Sequence, residues 1–186
     1  MAAAYDFSAL AVLVADKNLN MRRLLRSILR ELNIRMVTDA ATPEQALELL
    51  VSKPFDVAFI EWAPDFDGNA AIRQLRRDAK ALSRYIPVIV TSAYTEVKNV
   101  VTSRDDGATQ FLAKPFTAKM IYSHLQGVVE GHRPFVQSKV FVGPDRRRRK
   151  KPSPDGSERR GAKPKDAAPK PDSEKSEPGK EPSEKK

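Results

Sequence analysis

The stretch Phe55–Gly68, FDVAFIEWAPDFDG, carries the strongest fold signal in this chain. Val57-Ala58-Phe59-Ile60 is a short apolar run without alternation, and such a run needs cover on both faces, as the strands of a parallel α/β sheet have. It ends at the carboxylate of Glu61, after which a turn at Pro64 and a helix start at Asp67-Gly68 are expected. In open parallel sheets ligands gather beyond the carboxyl ends of the strands. Glu61 therefore stands where chemistry is expected.

Outward from this stretch, strand-like and helix-like periods alternate. Leu10–Ala15 reads as a strand. The helix after it, Asn18–Leu32, carries Met21, Leu24, Leu25, Ile28, Leu29 and Leu32 on one face, with Asn18 as its cap. Ile34–Ala40 reads as the second strand, and Thr42-Pro43-Glu44-Gln45 supplies an N-cap, an N1 proline and a capping box for a helix through Leu50. After the opening strand, a helix through Ile72 and Leu75 reaches about Ala79. Ile86–Thr91 is the fourth strand, Glu96–Asp105 a helix ended by Gly107, Gln110–Ala113 the fifth strand and Thr117–Val129 the last helix. Such repetition predicts an α/β fold: a doubly wound, five-stranded parallel sheet of flavodoxin-like type, covered on both faces.

Composition divides the chain. Residues 133–186 hold 17 Lys+Arg against 9 Asp+Glu, a net of +8, which leaves +1 of the total +9 for residues 1–132; the same segment holds 9 of the 14 prolines. Residues 152–186 have no apolar period and almost nothing larger than alanine to bury, so they cannot offset their ordering entropy and should be disordered when alone. Three regions follow: a globule over residues 9–131, an arginine-rich segment over 132–151 and a Pro/Lys/Glu-rich tail over 152–186. There is no cysteine, hence no disulfide framework and no thiolate metal site. The N-terminus lacks the basic region of a secretory signal, and no apolar stretch is long enough to span a bilayer, so a cytoplasmic protein without membrane insertion is expected. His124 and His132 have no second ligand at metal spacing, Trp62 reads as a loop-packing residue, and no Ser/His/Asp set or phosphate-binding glycine loop is evident; no enzyme is expected.

From Ala9 to Gly131 the residues resemble the CheY-like receiver domains of bacterial two-component signalling, most closely in MRRLLRSILREL of the first helix and in Lys114-Pro115-Phe116-Thr117. In that family an acidic pair after strand one and an aspartate ending strand three hold Mg²⁺. The aspartate takes up a phosphoryl group, which a Ser/Thr after strand four and a Lys before a proline contact. The resemblance implies that Asp16 remains from the acidic pair while Ala15 has lost its carboxylate. It places Glu61 on the phosphoacceptor, in a loop one residue shorter than usual, Ser92 on the Ser/Thr, Lys114 on the lysine and Phe111 on the switch aromatic. It also implies a docking face that includes Phe111, Lys119 and Tyr122, equally suited to receiver dimerisation.

These departures change the expected chemistry. Mg²⁺ demands near-octahedral oxygen ligation, so the loss of one carboxylate weakens its site and Mg²⁺ is not expected. Phosphoryl transfer depends on positioning, and a nucleophile displaced by a methylene is misplaced for in-line attack. Asp16, Glu61, Ser92 and Lys114 thus form a degenerate pocket in which Glu61 pairs with Lys114.

The signal is then sought in the segment RPFVQSKVFVGPDRRRRKK, residues 133–151. Phe135, Val136, Val140, Phe141 and Val142 alternate as an edge-pairing strand would, and Gly143-Pro144-Asp145 is expected to turn the chain into Arg146, Arg147, Arg148 and Arg149. Guanidinium is planar, stacks on aromatic faces and bonds phosphate and guanine O6/N7 in bidentate fashion. Pro154-Asp155 followed by Arg159-Arg160 repeats Pro144-Asp145 followed by Arg148-Arg149. Each unit sets a carboxylate able to accept from guanine N1 and N2 beside guanidinium groups, which suits a symmetric guanine dinucleotide, cyclic di-GMP. With several stacking contacts at roughly 0.5–2 kcal/mol each, binding can order such a segment. A receiver with a non-phosphorylatable acceptor and an arginine-rich extension resembles the CheY-like cyclic di-GMP effectors, and this implies a flagellar motor switch partner. Three other readings are weighed: nucleic-acid binding by the basic segment, opposed by salt and lacking a reading module; an ordinary phosphorylated receiver with Asp65 or Asp67 substituting; and an adaptor with a solubilising linker.

Overall fold

The computed structural model describes residues 5–131, 134–137 and 142–145. Strands β1 (Ala11–Ala15), β2 (Met36–Ala40), β3 (Val57–Ala63), β5 (Val88–Ser92) and β6 (Gln110–Ala113) form a parallel sheet in the order β2-β1-β3-β5-β6, and a two-residue strand β4 (Phe66–Asp67) pairs with β3. Helices α1 (Leu19–Glu31), α2 (Pro43–Ser52), α3 (Gly68–Arg77), α4 (Val97–Asp105) and α5 (Ala118–Glu130) alternate with the strands. The predicted α/β architecture is therefore the observed one.

The period of two along each strand sorts the core into two layers. Leu13, Ala58, Ile60, Val88 and Val90 meet Leu50 of α2 and Ile72 and Leu75 of α3 on one face. On the other, Val12, Val14, Phe59, Ile89 and Leu112 meet Leu25 and Leu29 of α1 and Ile121 and Leu125 of α5. Each large side chain fully removed from water contributes about 1.5–3 kcal/mol. Phe7, upstream of β1, belongs to the second layer and packs edge-on against Tyr122.

Polar caps set the helix starts. The side chains of Asn18, Thr42, Asp67 and Thr117 accept from the backbone N–H groups of Asn20, Gln45, Ala70 and Met120. At α2 the Gln45 side chain reaches Ala41 N–H, one residue before the cap, rather than the cap's own N–H of the expected capping box. Helix α4 has no side-chain cap bond and buries Ser103 alone, leaving Val97 78% exposed. Gly107 follows it at φ 107, a left-handed conformation that favours glycine.

Two predicted features differ. Strand β3 does not stop at Glu61 but runs to Ala63, because Trp62 and Ala63 find antiparallel partners in Asp67 and Phe66 across the Pro64-Asp65 turn. Gly143-Pro144-Asp145 is not a turn: Phe135–Gln137 (β7) pairs antiparallel with Val142–Pro144 (β8), and Asp145 N–H donates to Pro134 O. This hairpin pairs with itself rather than adding to an edge of the main sheet. Val140 and Phe141 lie outside the described residues, as do residues 146–186 and with them the expected disorder of the tail. Among the described residues no helix is long and apolar enough to cross a membrane.

Candidate functional site

At the carboxyl ends of the strands, the β1–α1 turn, β3 and the β6–α5 turn bring Asp16, Glu61 and Lys114 together. The Lys114 ammonium donates to Asp16 Oδ2 at 2.6 Å and to Glu61 Oε1 at 2.7 Å. The second oxygens are also used: Glu61 Oε2 accepts from Lys17 N–H at 3.0 Å, and Asp16 Oδ1 from Asn18 N–H at 2.8 Å. Asp16 is 4% and Glu61 6% exposed, so these bonds act in a low-dielectric setting. Burial pushes the Asp16 carboxyl up, against the pull of Lys114 and the Asn18 N–H. Burial acts on Glu61 in the same sense, but the Lys114 ammonium and the Lys17 N–H outweigh it and hold that carboxyl below its usual range.

The remaining predicted pocket residue is near but engaged elsewhere. Ser92 Oγ donates to Trp62 O at 2.7 Å and accepts from Tyr94 N–H at 3.0 Å, while Ser92 O accepts from Lys114 N–H. Lys114-Pro115 is a cis peptide. Ala15 places a methyl group in the apolar layer where a second carboxylate would be needed. Two carboxylates share one ammonium here, and no third joins them among the described residues. Asp65 pairs with Lys17, and Asp67 caps α3, so neither carboxylate turns toward Lys114.

The expected docking residues border the β6 edge of the sheet. Phe111 packs with the layer that contains Leu13, whereas Tyr122 packs with the opposite layer and against Phe7, and Lys119 is exposed on α5.

Of the expected ligand residues, Asp145 lies within the described chain; Arg146, Arg147, Arg148, Arg149, Asp155, Arg159 and Arg160 lie outside it. Asp145 closes the β7–β8 hairpin, which rests on a residue that the sequence reading missed. Arg76 is 1% exposed and donates to Gly107 O at 3.1 Å, to Ile86 O at 2.8 Å and to Arg84 O. The Phe135 ring lies over its guanidinium at 4.9 Å and meets Tyr85 edge-on at 5.3 Å. With carbonyls and a π-face as its partners, burial pushes Arg76 down to about 9, so it remains charged at neutral pH. Its helical spacing was the available signal: Ile72, Leu75 and Arg76 share the buried face of α3.

Comparison with known proteins agrees with this geometry. The family described as response regulator receiver domain matches residues 12–126. The chain is 26% identical over 120 residues to the chemotaxis protein CheY of Pseudomonas aeruginosa, covering 64% of this chain and 95% of that protein. It is 25% identical to chemotaxis protein CheY-3 of Vibrio cholerae, covering 64% and 91%. Among solved structures, the receiver domain of the Francisella response regulator 1452 superposes with a TM-score of 0.58 at 26% identity, covering 66% of this chain and 98% of that one.

Proposed function

The chain belongs to the response regulator receiver domain family, and on that premise we propose that it is a non-catalytic signalling protein that binds cyclic di-GMP through its arginine-rich C-terminal segment and engages a protein partner with its receiver. The carrying observation is the pairing in the pocket: one ammonium is held by Asp16 and Glu61, and the Ala15 side chain carries no oxygen. A receiver whose charges satisfy each other supports an input located elsewhere. Four consecutive arginines after Asp145 supply the chemistry for a guanine-phosphate ligand. Likeness to chemotaxis proteins supports a cytoplasmic protein that acts on motility, with the flagellar motor switch as the partner to test first.

Isothermal titration of the full chain with cyclic di-GMP should show binding that alanine at Arg146, Arg147, Arg148 and Arg149 abolishes. Equal affinity of that variant, or tighter binding of linear DNA at physiological salt, sinks the reading and returns the basic segment to nucleic acid. Incubation with acetyl phosphate should leave the mass unchanged; an acid-labile adduct refutes the reading of a receiver without a phosphoacceptor.

A further inference from the structure

The loop between α3 and β5, residues 78–87, inverts the usual pattern of burial: it hides Ser83, 0% exposed, and presents Leu82 at 64%. A large apolar side chain in water beside a small polar one inside calls for a reason. Ser83 Oγ donates to Lys53 O at 2.7 Å and accepts from Phe55 N–H at 3.0 Å, and the N–H groups of Leu82 and Ser83 donate to Val51 O and Leu50 O. Farther along, the buried Arg76 guanidinium holds Arg84 O and Ile86 O. Leu82 therefore points outward from a backbone fixed on both sides, and turning it inward would break these bonds. Cations surround it. Lys53, Arg77 and Lys80 are exposed and Arg84 is half-buried, and among the described residues no carboxylate stands within ion-pair distance of any of the four. The one carboxylate of the stretch, Asp78, accepts from Lys80 N–H. Tyr85 is 52% exposed, and since Phe135 and the Arg84 guanidinium already face its ring, it adds only its remaining edge.

We propose that residues 77–85, with Leu82 as anchor and Lys53, Arg77, Lys80 and Arg84 around it, dock an acidic segment of a protein partner that carries an apolar side chain among its carboxylates. This assignment rests on the reading, given under the proposed function, that the receiver engages a protein partner, and it names the face. An apolar centre within a rim of unpaired cations complements an apolar residue flanked by Glu or Asp: the centre supplies burial, and the rim steers the encounter. A loop already held in place loses little entropy on docking. A bilayer is the poorer occupant, because one myristoyl chain gives only marginal membrane binding and Leu82 with the free edge of Tyr85 offers less apolar surface than that.

The test combines amide shift mapping and binding kinetics on the full chain, with a peptide in which Glu and Asp flank a leucine and an analogue with serine in its place. The cations of residues 146–186 attract both peptides alike, so the leucine is the discriminating group. The leucine peptide should shift the amides of residues 77–85 and bind about five-fold more tightly than its analogue. Leu82→Ala should erase that preference without moving the thermal melt, whereas Arg77→Ala and Lys80→Ala should slow association and flatten its salt dependence. An unchanged leucine preference in Leu82→Ala, with shifts elsewhere on the receiver, overturns this surface and leaves the partner reading standing. Shifts confined to residues 146–186, or none, overturn the surface and the receiver's part in that reading together. Binding to phosphatidylserine vesicles that Leu82→Ala abolishes, without a leucine-dependent peptide footprint, gives the face to a membrane and overturns the protein partner.

Discussion

Lys114 is the single cation between two buried carboxylates, and its removal leaves both uncompensated. Breaking a buried pair in this way costs about 3–5 kcal/mol, and Lys114→Met should destabilise the receiver by that order at pH 7. The pH dependence has a definite sign. In wild type the depressed Glu61 contributes stability that is present above 4.5 and lost as pH falls through its folded value. Without Lys114, burial dominates and raises both carboxyls above their unfolded values of 3.8 and 4.5, so each ionised form penalises folding and protonation relieves the penalty. The Tm gap between Lys114→Met and wild type should therefore shrink from pH 7 to pH 4; a constant gap would show that Lys114 acts by packing alone. Glu61 was legible in the sequence because it ends an apolar strand, and Asp16 and Lys114 through the resemblance to receiver domains. For Arg76 only its place on the buried face of α3 was legible, because its partners are backbone carbonyls that become visible only in three dimensions.

Helix ends and starts were legible to within a residue or two wherever a cap or a glycine announces them. Asn18, Thr42, Asp67 and Thr117 all sit one position before a helix, with side-chain oxygens that satisfy free N–H groups. The overrun of β3 and the β7–β8 hairpin were not legible, because both depend on a partner strand that local periodicity does not encode. Glycine positions show how much an element can absorb. At Gly107, φ is 107, and an added Cβ would stand 2.9 Å from Arg76 Cγ and 3.3 Å from Val142 O. Gly107→Ala should cost about 1–3 kcal/mol through backbone strain and displacement of the hairpin seat, which lowers Tm by several degrees. Gly127 lies inside α5, where the nearest atom to an added Cβ is the Gln110 side-chain nitrogen at 3.1 Å. Gly127→Ala should be neutral or stabilising by up to about 1 kcal/mol. Chemical denaturation of the two variants checks both signs, and an equal effect would remove the argument for the seat.

At the scale of the molecule, the sheet has two poles with different occupants. Glu61, Ser92 and Lys114 stand toward the carboxyl ends of β3, β5 and β6, while Arg84, Ile86 and Gly107 lie before the amino ends of β5 and β6. The length of a five-residue strand, roughly 15 Å, separates them. The β7–β8 hairpin therefore belongs to the pole away from the receiver pocket. Two truncations test this arrangement. A chain ending at Gly131 lacks Phe135 and the buried Gly143 and Pro144, so it uncovers Arg76 and should melt several degrees below the full chain while still unfolding in one transition. A chain ending at Asp145 keeps the hairpin, and because residues 146–186 carry almost no apolar surface it should melt close to the full chain. Both should lose cyclic di-GMP binding. If the Gly131 chain melts like the full chain, the hairpin contributes nothing to the fold; if the Asp145 chain keeps its affinity, the arginines are not the ligand site.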